Sequence, residues 1–258
     1  MAVEYAPKGL IGVLTPQANT TVEPEFNLFL PEGFAIINGR LTSDKPTMEE
    51  RLVDYFHHYI DSCKQFANAP VDVIAFACTG ASYLATRPIE IATLESIERQ
   101  FDIKAVTAAS SVIDMLDVLH AKNIALVSPY SKNLLNKSKQ YWESCGFHLA
   151  EVVDVASSDA AFHPIYGLTS QSASQALDQL KNKSFDAIVL LGTGMPTLKT
   201  IYLANQSKQF APVISCMSSL AWRCATLNLS HAMDFNRWLT GDEGSQAGKR
   251  WSSVDHRN

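Results

Sequence analysis

Val71 to Leu84 reads VDVIAFACTGASYL: an unbroken apolar run, VIAFA, reaches Cys78-Thr79-Gly80, and a helix-compatible segment follows. A strand so uniformly apolar is buried on both faces, and such strands belong to parallel sheets covered by helices. The loop at the carboxyl end of such a strand is where ligands bind in open α/β sheets. The pattern returns at Phe185 to Leu198, FDAIVLLGTGMPTL, where Asp186 matches Asp72, Thr193 matches Thr79, Gly194 matches Gly80 and Leu198 matches Leu84. In that register Cys78 falls opposite Gly192. One thiol serves two matched loops.

Working outward, Leu10 to Pro16 (LIGVLTP) reads as a first buried strand, followed by the loop Gln17 to Thr21 and a helix from Val22. Thr20 or Thr21 is the expected N-cap of that helix, with Glu23 and Glu25 in its first turn. Phe34 to Leu41 is a second strand, and Met48 to Phe66 is one amphipathic helix with apolar residues at steps of three and four. A helix over Ile89 to Phe101, a strand over Ala105 to Ala109 and a helix over Ser111 to Ala121 complete the first half.

The second half restarts at Asn123 with NIALVSPYSKNLL, which parallels IGVLTPQANTTVE, Pro129 standing for Pro16. A helix (Leu134 to Ser144), a strand (Leu149 to Val155), an irregular loop (Ser157 to Ser170), a helix (Ser170 to Leu180) and the matched strand follow. The Met195-Pro196 step suits a helix start. A strand at Pro212 to Ser215 leads to a last helix ending near Leu229, its lead-in PVISCMSS echoing AVTAASS before it. The expected organisation is an extension (1–9), two β/α halves (10–121 and 122–230) with a site between their facing loops, and a polar, mobile C-terminal extension (231–258).

With 258 residues, 47% of them hydrophobic and 18% charged, the chain has ample material for a buried core. Its net charge of −5 excludes a basic nucleic-acid face, and no apolar run reaches the roughly 20 residues of a membrane span. The N-terminus lacks a signal-peptide pattern. Five cysteines without CxxC spacing fit reduced thiols in a cytoplasm, rather than disulfides or a metal site.

Cys78 is the sharpest chemical signal. A free cysteine is most often a buried structural residue; this one lies past a strand end, where unpaired N–H groups of a following helix would favour its thiolate. Cys216, ending a strand, is a distant second. Gly192-Thr193-Gly194 lacks the third glycine and the acidic partner of a dinucleotide site and reads instead as a backbone cradle for a carboxylate. Asn19 is a turn residue or a substrate contact, Tyr130 a core residue or a hydroxyl donor. His163 and Tyr166 sit in the least regular loop, where function often resides.

Together, Pro16-Gln17-Ala18-Asn19-Thr20-Thr21-Val22-Glu23-Pro24-Glu25, Ala77-Cys78-Thr79, Ser128-Pro129-Tyr130 and Gly192 to Leu198 resemble the aspartate/glutamate racemase superfamily. The closer likeness is to its maleate cis-trans isomerase and arylmalonate decarboxylase branch. The resemblance runs from about residue 10 to 230. It implies an α/β fold of two Rossmann-like parallel-sheet halves related by a pseudo-twofold axis, no cofactor and no metal. It makes Cys78 the nucleophile that adds to a double bond, with Asn19 and Tyr130 on the carboxylates and Thr79, Gly80, Thr193 and Gly194 supplying donors. Gly192 stands where racemases carry a second cysteine, and His163 where isomerases tend to carry asparagine. Arylmalonate decarboxylases keep their single cysteine in the other half.

The expected activity is therefore cofactor-independent isomerisation of a small carboxylate, of the maleate cis-trans type. The alternatives are malonate decarboxylation with Cys78 as sole proton donor, or carboxylate binding without turnover. The expected partner is a small carboxylate, not nucleic acid or a membrane, and a homo-oligomer is compatible with this reading.

Overall fold

The computed structural model describes residues 3–155 and 164–227; His163 and the C-terminal extension lie outside the described residues. In the first half β1 (Gly9–Pro16), α1 (Val22–Phe29), β2 (Phe34–Leu41), α2 (Met48–His57), α3 (Tyr59–Cys63), β3 (Val73–Phe76), α4 (Thr79–Ala85), α5 (Arg87–Phe101), β4 (Lys104–Thr107) and α6 (Ala108–Val118) follow one another. The second half runs β5 (Asn123–Ser128), α7 (Lys132–Ser144), β6 (His148–Asp154), α8 (Ser170–Leu177), β7 (Ala187–Leu190), α9 (Leu198–Gln206), β8 (Val213–Ser215) and α10 (Cys216–Leu227).

The strands form two parallel four-stranded sheets of matching order, β2-β1-β3-β4 and β6-β5-β7-β8. Parallel neighbours need crossover connections, which the helices supply. The order reverses between β1 and β3, and again between β5 and β7. These switch points leave a crevice at the carboxyl ends of the strands, where Pro16, Cys78, Pro129 and Gly192 stand.

The repeat seen in the sequence is a repeat of jobs. Asp72 Oδ2 accepts the Leu10 amide at the start of β1, and Asp186 Oδ2 accepts the Lys122 and Asn123 amides at the start of β5. Thr107 and Ser110 cap α6 reciprocally, as Ser215 and Ser218 do ahead of α10. Val73 to Phe76 and Ala187 to Leu190 are buried throughout, as their apolar runs require. Each large side chain so buried stabilises the fold by about 1.5–3 kcal/mol.

Several boundaries differ from the sequence reading. The helix over 48–66 breaks into α2, α3 and a 3-10 turn at Lys64–Phe66. At the break His58 Nδ1 lies 2.8 Å from the Asp54 carbonyl oxygen, where the ring competes for a helical acceptor. The strand expected to reach Ala109 stops at Thr107 because Thr107 caps α6. The Met195-Pro196 step does not start a helix; α9 begins at Leu198 with Thr197 at its N-cap. At the start of α1, Thr21 occupies the cap position without a side-chain capping bond, and Asn19 Oδ1 accepts the Thr21 and Val22 amides instead. The last helix is described through Leu227.

Candidate active site

A cavity of about 170 Å³ opens where the two switch points face each other. Of the sequence-predicted residues it brings together Asn19, Cys78, Thr79, Gly80, Tyr130, Gly192, Thr193 and Gly194, along with Tyr166. Residues of α2 (Met48, Leu52, Tyr55), of α7 (Leu134) and Ile165 also line it. The sequence reading did not single these out as site residues. Their signal was the apolar stripe of α2, which cannot tell a core from the wall of a cavity.

Hydrogen bonds between the halves hold the floor together. Asn19 Nδ2 donates to Thr193 Oγ1 (3.3 Å), which donates to the Ala77 carbonyl (2.8 Å). Thr21 Oγ1 donates to the Gly194 carbonyl (2.9 Å). The Thr193 hydroxyl proton is thus spent on the fold, whereas the Asn19 amide has a second N–H. Glu25, fully buried at the back of α1, accepts the Thr197 amide at 2.5 Å, the Leu198 amide at 2.8 Å and the Thr197 hydroxyl at 3.1 Å. The start of α9 therefore already carries the Glu25 carboxyl on its Thr197 and Leu198 amides, which are not those of the Gly192–Gly194 loop where the sequence places a carboxylate cradle. Burial raises Glu25 to about 7 despite those three bonds, which pull the other way.

Gly192 is a position where a side chain would be both strained and crowded. Its φ is +86°, and a Cβ there would lie 2.9 Å from Ile165 Cδ1 and 3.1 Å from Pro129 Cγ. At Gly194 a Cβ would meet the Tyr166 ring at 2.6 Å. The loop is closed over by side chains of its own half.

Cys78 is the N-cap of α4 and only 3% exposed. The Ala81 N–H faces the sulfur and lowers its pKa, but burial outweighs it and pushes the thiol up to about 12. The expectation that a helix start would yield a thiolate fails here, because desolvation of a charge exceeds what one short helix returns. With its pKa so raised, the Cys78 side chain is a neutral thiol near pH 7.

Thr79 Oγ1 and Tyr130 OH line the cavity, are buried, and make no hydrogen bond of good geometry. Buried hydroxyls without partners are costly. Cys216, the first residue of α10 rather than the last of a strand, is fully buried beside them. The Thr79 hydroxyl, the Gly192 amide and the Tyr83 hydroxyl lower its pKa while burial raises it, to about 11. It does not line the cavity. Among the described residues no cluster of His, Cys, Asp or Glu could hold a metal ion, and no helix is long and apolar enough to cross a membrane.

The family profile of arylmalonate decarboxylase matches residues 11–235. The chain belongs to that family. A maleate isomerase from Geobacillus stearothermophilus is 26% identical over 239 residues, which span 85% of this chain and 92% of the relative. Among solved structures, a mutant Nocardia farcinica maleate cis-trans isomerase with a covalently bound succinylcysteine intermediate superposes with a TM-score of 0.73 at 23% identity, covering 83% of this chain and 90% of the other. Arylmalonate decarboxylase itself superposes with a TM-score of 0.70 at 15% identity, covering 86% and 94%. The fold of two facing parallel sheets with flanking helices, expected from the sequence, is therefore the fold of this family.

Proposed function

We propose that this family member is a cofactor-independent cis-trans isomerase of the maleate type, with Cys78 as the nucleophile. The observation that carries the reading is the placement of one buried, neutral thiol beside two unpartnered hydroxyls, Thr79 and Tyr130, in a cavity at the switch points. The succinylcysteine intermediate of the Nocardia isomerase gives the chemistry a precedent on the same fold.

In this reading the thiol adds across the alkene. The bond from Cys78 Sγ to one alkene carbon forms, the π electrons move onto the other carbon and its carboxylate, and the thiol proton is delivered to that carbon. The former double bond is now single and rotates. Elimination then breaks the carbon–sulfur bond and returns the proton to sulfur, so no co-reactant is consumed. A thiol of high pKa suits a cycle that ends with the proton back on sulfur. The Thr79 and Tyr130 hydroxyls and the remaining Asn19 N–H donate to the enediolate as charge develops. Removing one such donor costs about 3–4 kcal/mol in the barrier of related reactions.

The test is intact-protein mass spectrometry with maleate beside NMR of the small molecules. An adduct of maleate mass mapping to Cys78, with fumarate accumulating, is the expected result; fumarate formation by Cys78→Ser at the full rate would sink the reading. Decarboxylation of a disubstituted malonate is the second reading, favoured by the single thiol in the cavity, which suffices for one protonation. It would show as bicarbonate release from substituted malonates without any adduct.

A further inference from the structure

Behind the cavity wall lies a buried hydroxyl that the chemistry above does not use. Tyr83 is 2% exposed, does not line the cavity, and its hydroxyl makes no hydrogen bond of good geometry. Thr79 and Tyr83 stand four residues apart on α4, so both project from one face of the helix. Tyr130 meets that face from the other half: the Tyr83 and Tyr130 rings lie edge to face with 5.9 Å between centres. The Tyr130 hydroxyl in turn lies 3.5 Å from the point that a Cβ on Gly192 would occupy. It therefore stands in front of the loop that matches Cys78 in the internal repeat.

A buried phenol needs an acceptor for its proton. Among the described residues around Tyr83, the Tyr141 hydroxyl is engaged with Glu90 (2.5 Å), and the indole of Trp142 offers only a donor. Cys216 reaches the same place because Leu190 and Ser215 pair across β7 and β8, but a thiol sulfur accepts weakly. The Tyr130 oxygen is the stronger acceptor. Burial raises both phenols, and their contact raises Tyr83 further while lowering Tyr130, as befits Tyr83 donating and Tyr130 accepting. An oxygen that accepts from behind has its own O–H turned away from that donor and strengthened by it. Away from Tyr83 means into the cavity, which Tyr130 lines and Tyr83 does not.

We propose that Tyr83 is a positioning residue, whose hydroxyl donates to the Tyr130 oxygen and so holds the Tyr130 O–H toward the substrate carboxylate and the enediolate formed from it. The inference rests on the isomerase reading of the site and adds to it a residue that touches no substrate.

Tyr83→Phe deletes one oxygen and keeps the ring among Tyr130, Tyr141 and Trp142. The variant should keep its Tm within about 2 °C, while kcat for maleate falls about tenfold, the worth of one well-aligned hydrogen bond. In a Tyr130→Phe background the same change should cost less than about twofold, since the group it acts through has lost its proton. A loss from disturbed packing would be the same in both backgrounds. Equal losses in the two, or no loss in the otherwise wild-type chain, overturn the proposal. Succinate affinity, measured by calorimetry, separates this role from the isomerase reading and decides the matter if maleate is not converted. Tyr83→Phe is expected to weaken succinate severalfold. Succinate binding that responds in this way in a protein that never converts maleate refutes the isomerase reading and leaves the role of Tyr83 standing. Without conversion, an unresponsive affinity, or no succinate binding at all, overturns both.

Discussion

Replacing Glu25 by alanine and by glutamine separates its hydrogen bonds from its charge. Glu25→Ala strands the Thr197 and Leu198 amides at the buried start of α9. At about 1–3 kcal/mol for each unsatisfied buried group, the expected loss is about 4 kcal/mol, or a Tm lower by about 10 °C. Glu25→Gln keeps one oxygen for both amides and turns an N–H toward Thr197 Oγ1, which can donate on to Ser215 Oγ, 2.9 Å away. The glutamine variant is therefore expected to be folded and active.

The two variants also differ in pH dependence. The folded pKa of Glu25, about 7, lies above its ordinary value of 4.5. Below pH 4.5 the carboxyl is protonated in folded and unfolded chains alike; between 4.5 and 7 only the folded chain holds the proton. The stability this confers is complete below pH 4.5 and is lost as pH rises to 7. Across that window wild type should lose about 3 kcal/mol relative to Glu25→Gln, with little further change above it. Urea unfolding of both proteins at half-unit steps from pH 4.5 to 8 measures the difference directly. A constant difference over the whole range, or an alanine variant within 1 kcal/mol of wild type at every pH, would refute the reasoning.

Cys78→Ser should leave Tm within about 2 °C and reduce isomerase turnover by at least about a thousandfold, measured by fumarate appearance under saturating maleate. Carboxamidomethylation of Cys78, followed by peptide mapping, should be slow at pH 7 and accelerate about tenfold per pH unit through pH 9, because burial holds the thiol near 12 where an ordinary cysteine would level off. Tyr130→Phe removes a buried hydroxyl that makes no hydrogen bond of good geometry with the protein. Calorimetry should find the variant as stable as wild type or about 1 kcal/mol more so, while kcat falls about a hundredfold. Gly192→Cys should not install a working second thiol; its φ of +86° and the 2.9 Å approach to Ile165 predict a loss of about 1–3 kcal/mol by urea unfolding.

The parallel strands were legible because burial on both faces leaves a continuous apolar run, and the repeat because matched residues do matched work, as Asp72 and Asp186 do at strand starts. Boundaries were less legible where one side chain decides them. Thr107 could have continued a strand, and only its reciprocal bonds with Ser110 mark a cap. Asn19 was singled out in the sequence and lines the cavity, but its capping of α1 is a local detail the sequence did not show, and its contact with Thr193, a partner 174 positions away, depends on how the halves meet. The Cys78 pKa was misread for a similar reason: the helix start was visible in sequence and the desolvation was not. The wall formed by Met48, Leu52 and Leu134 carries no local mark, since a side chain facing a cavity and one facing a core obey the same period.

The bonds from Asn19 to Thr193, from Thr193 to Ala77 and from Thr21 to Gly194 all span the two halves beneath the cavity. Parting the halves like a clamshell would break every one of them, at about 1 kcal/mol each. Rotamer changes of Met48, Leu52, Ile165 and Tyr166, which line the cavity, would admit ligand with those bonds intact, and such motions are faster than the microsecond-to-millisecond opening of hinged domains. Ligand exchange in such an architecture is limited by the bulk of a few gatekeeping side chains, and trimming them would speed exchange without loosening the reaction centre.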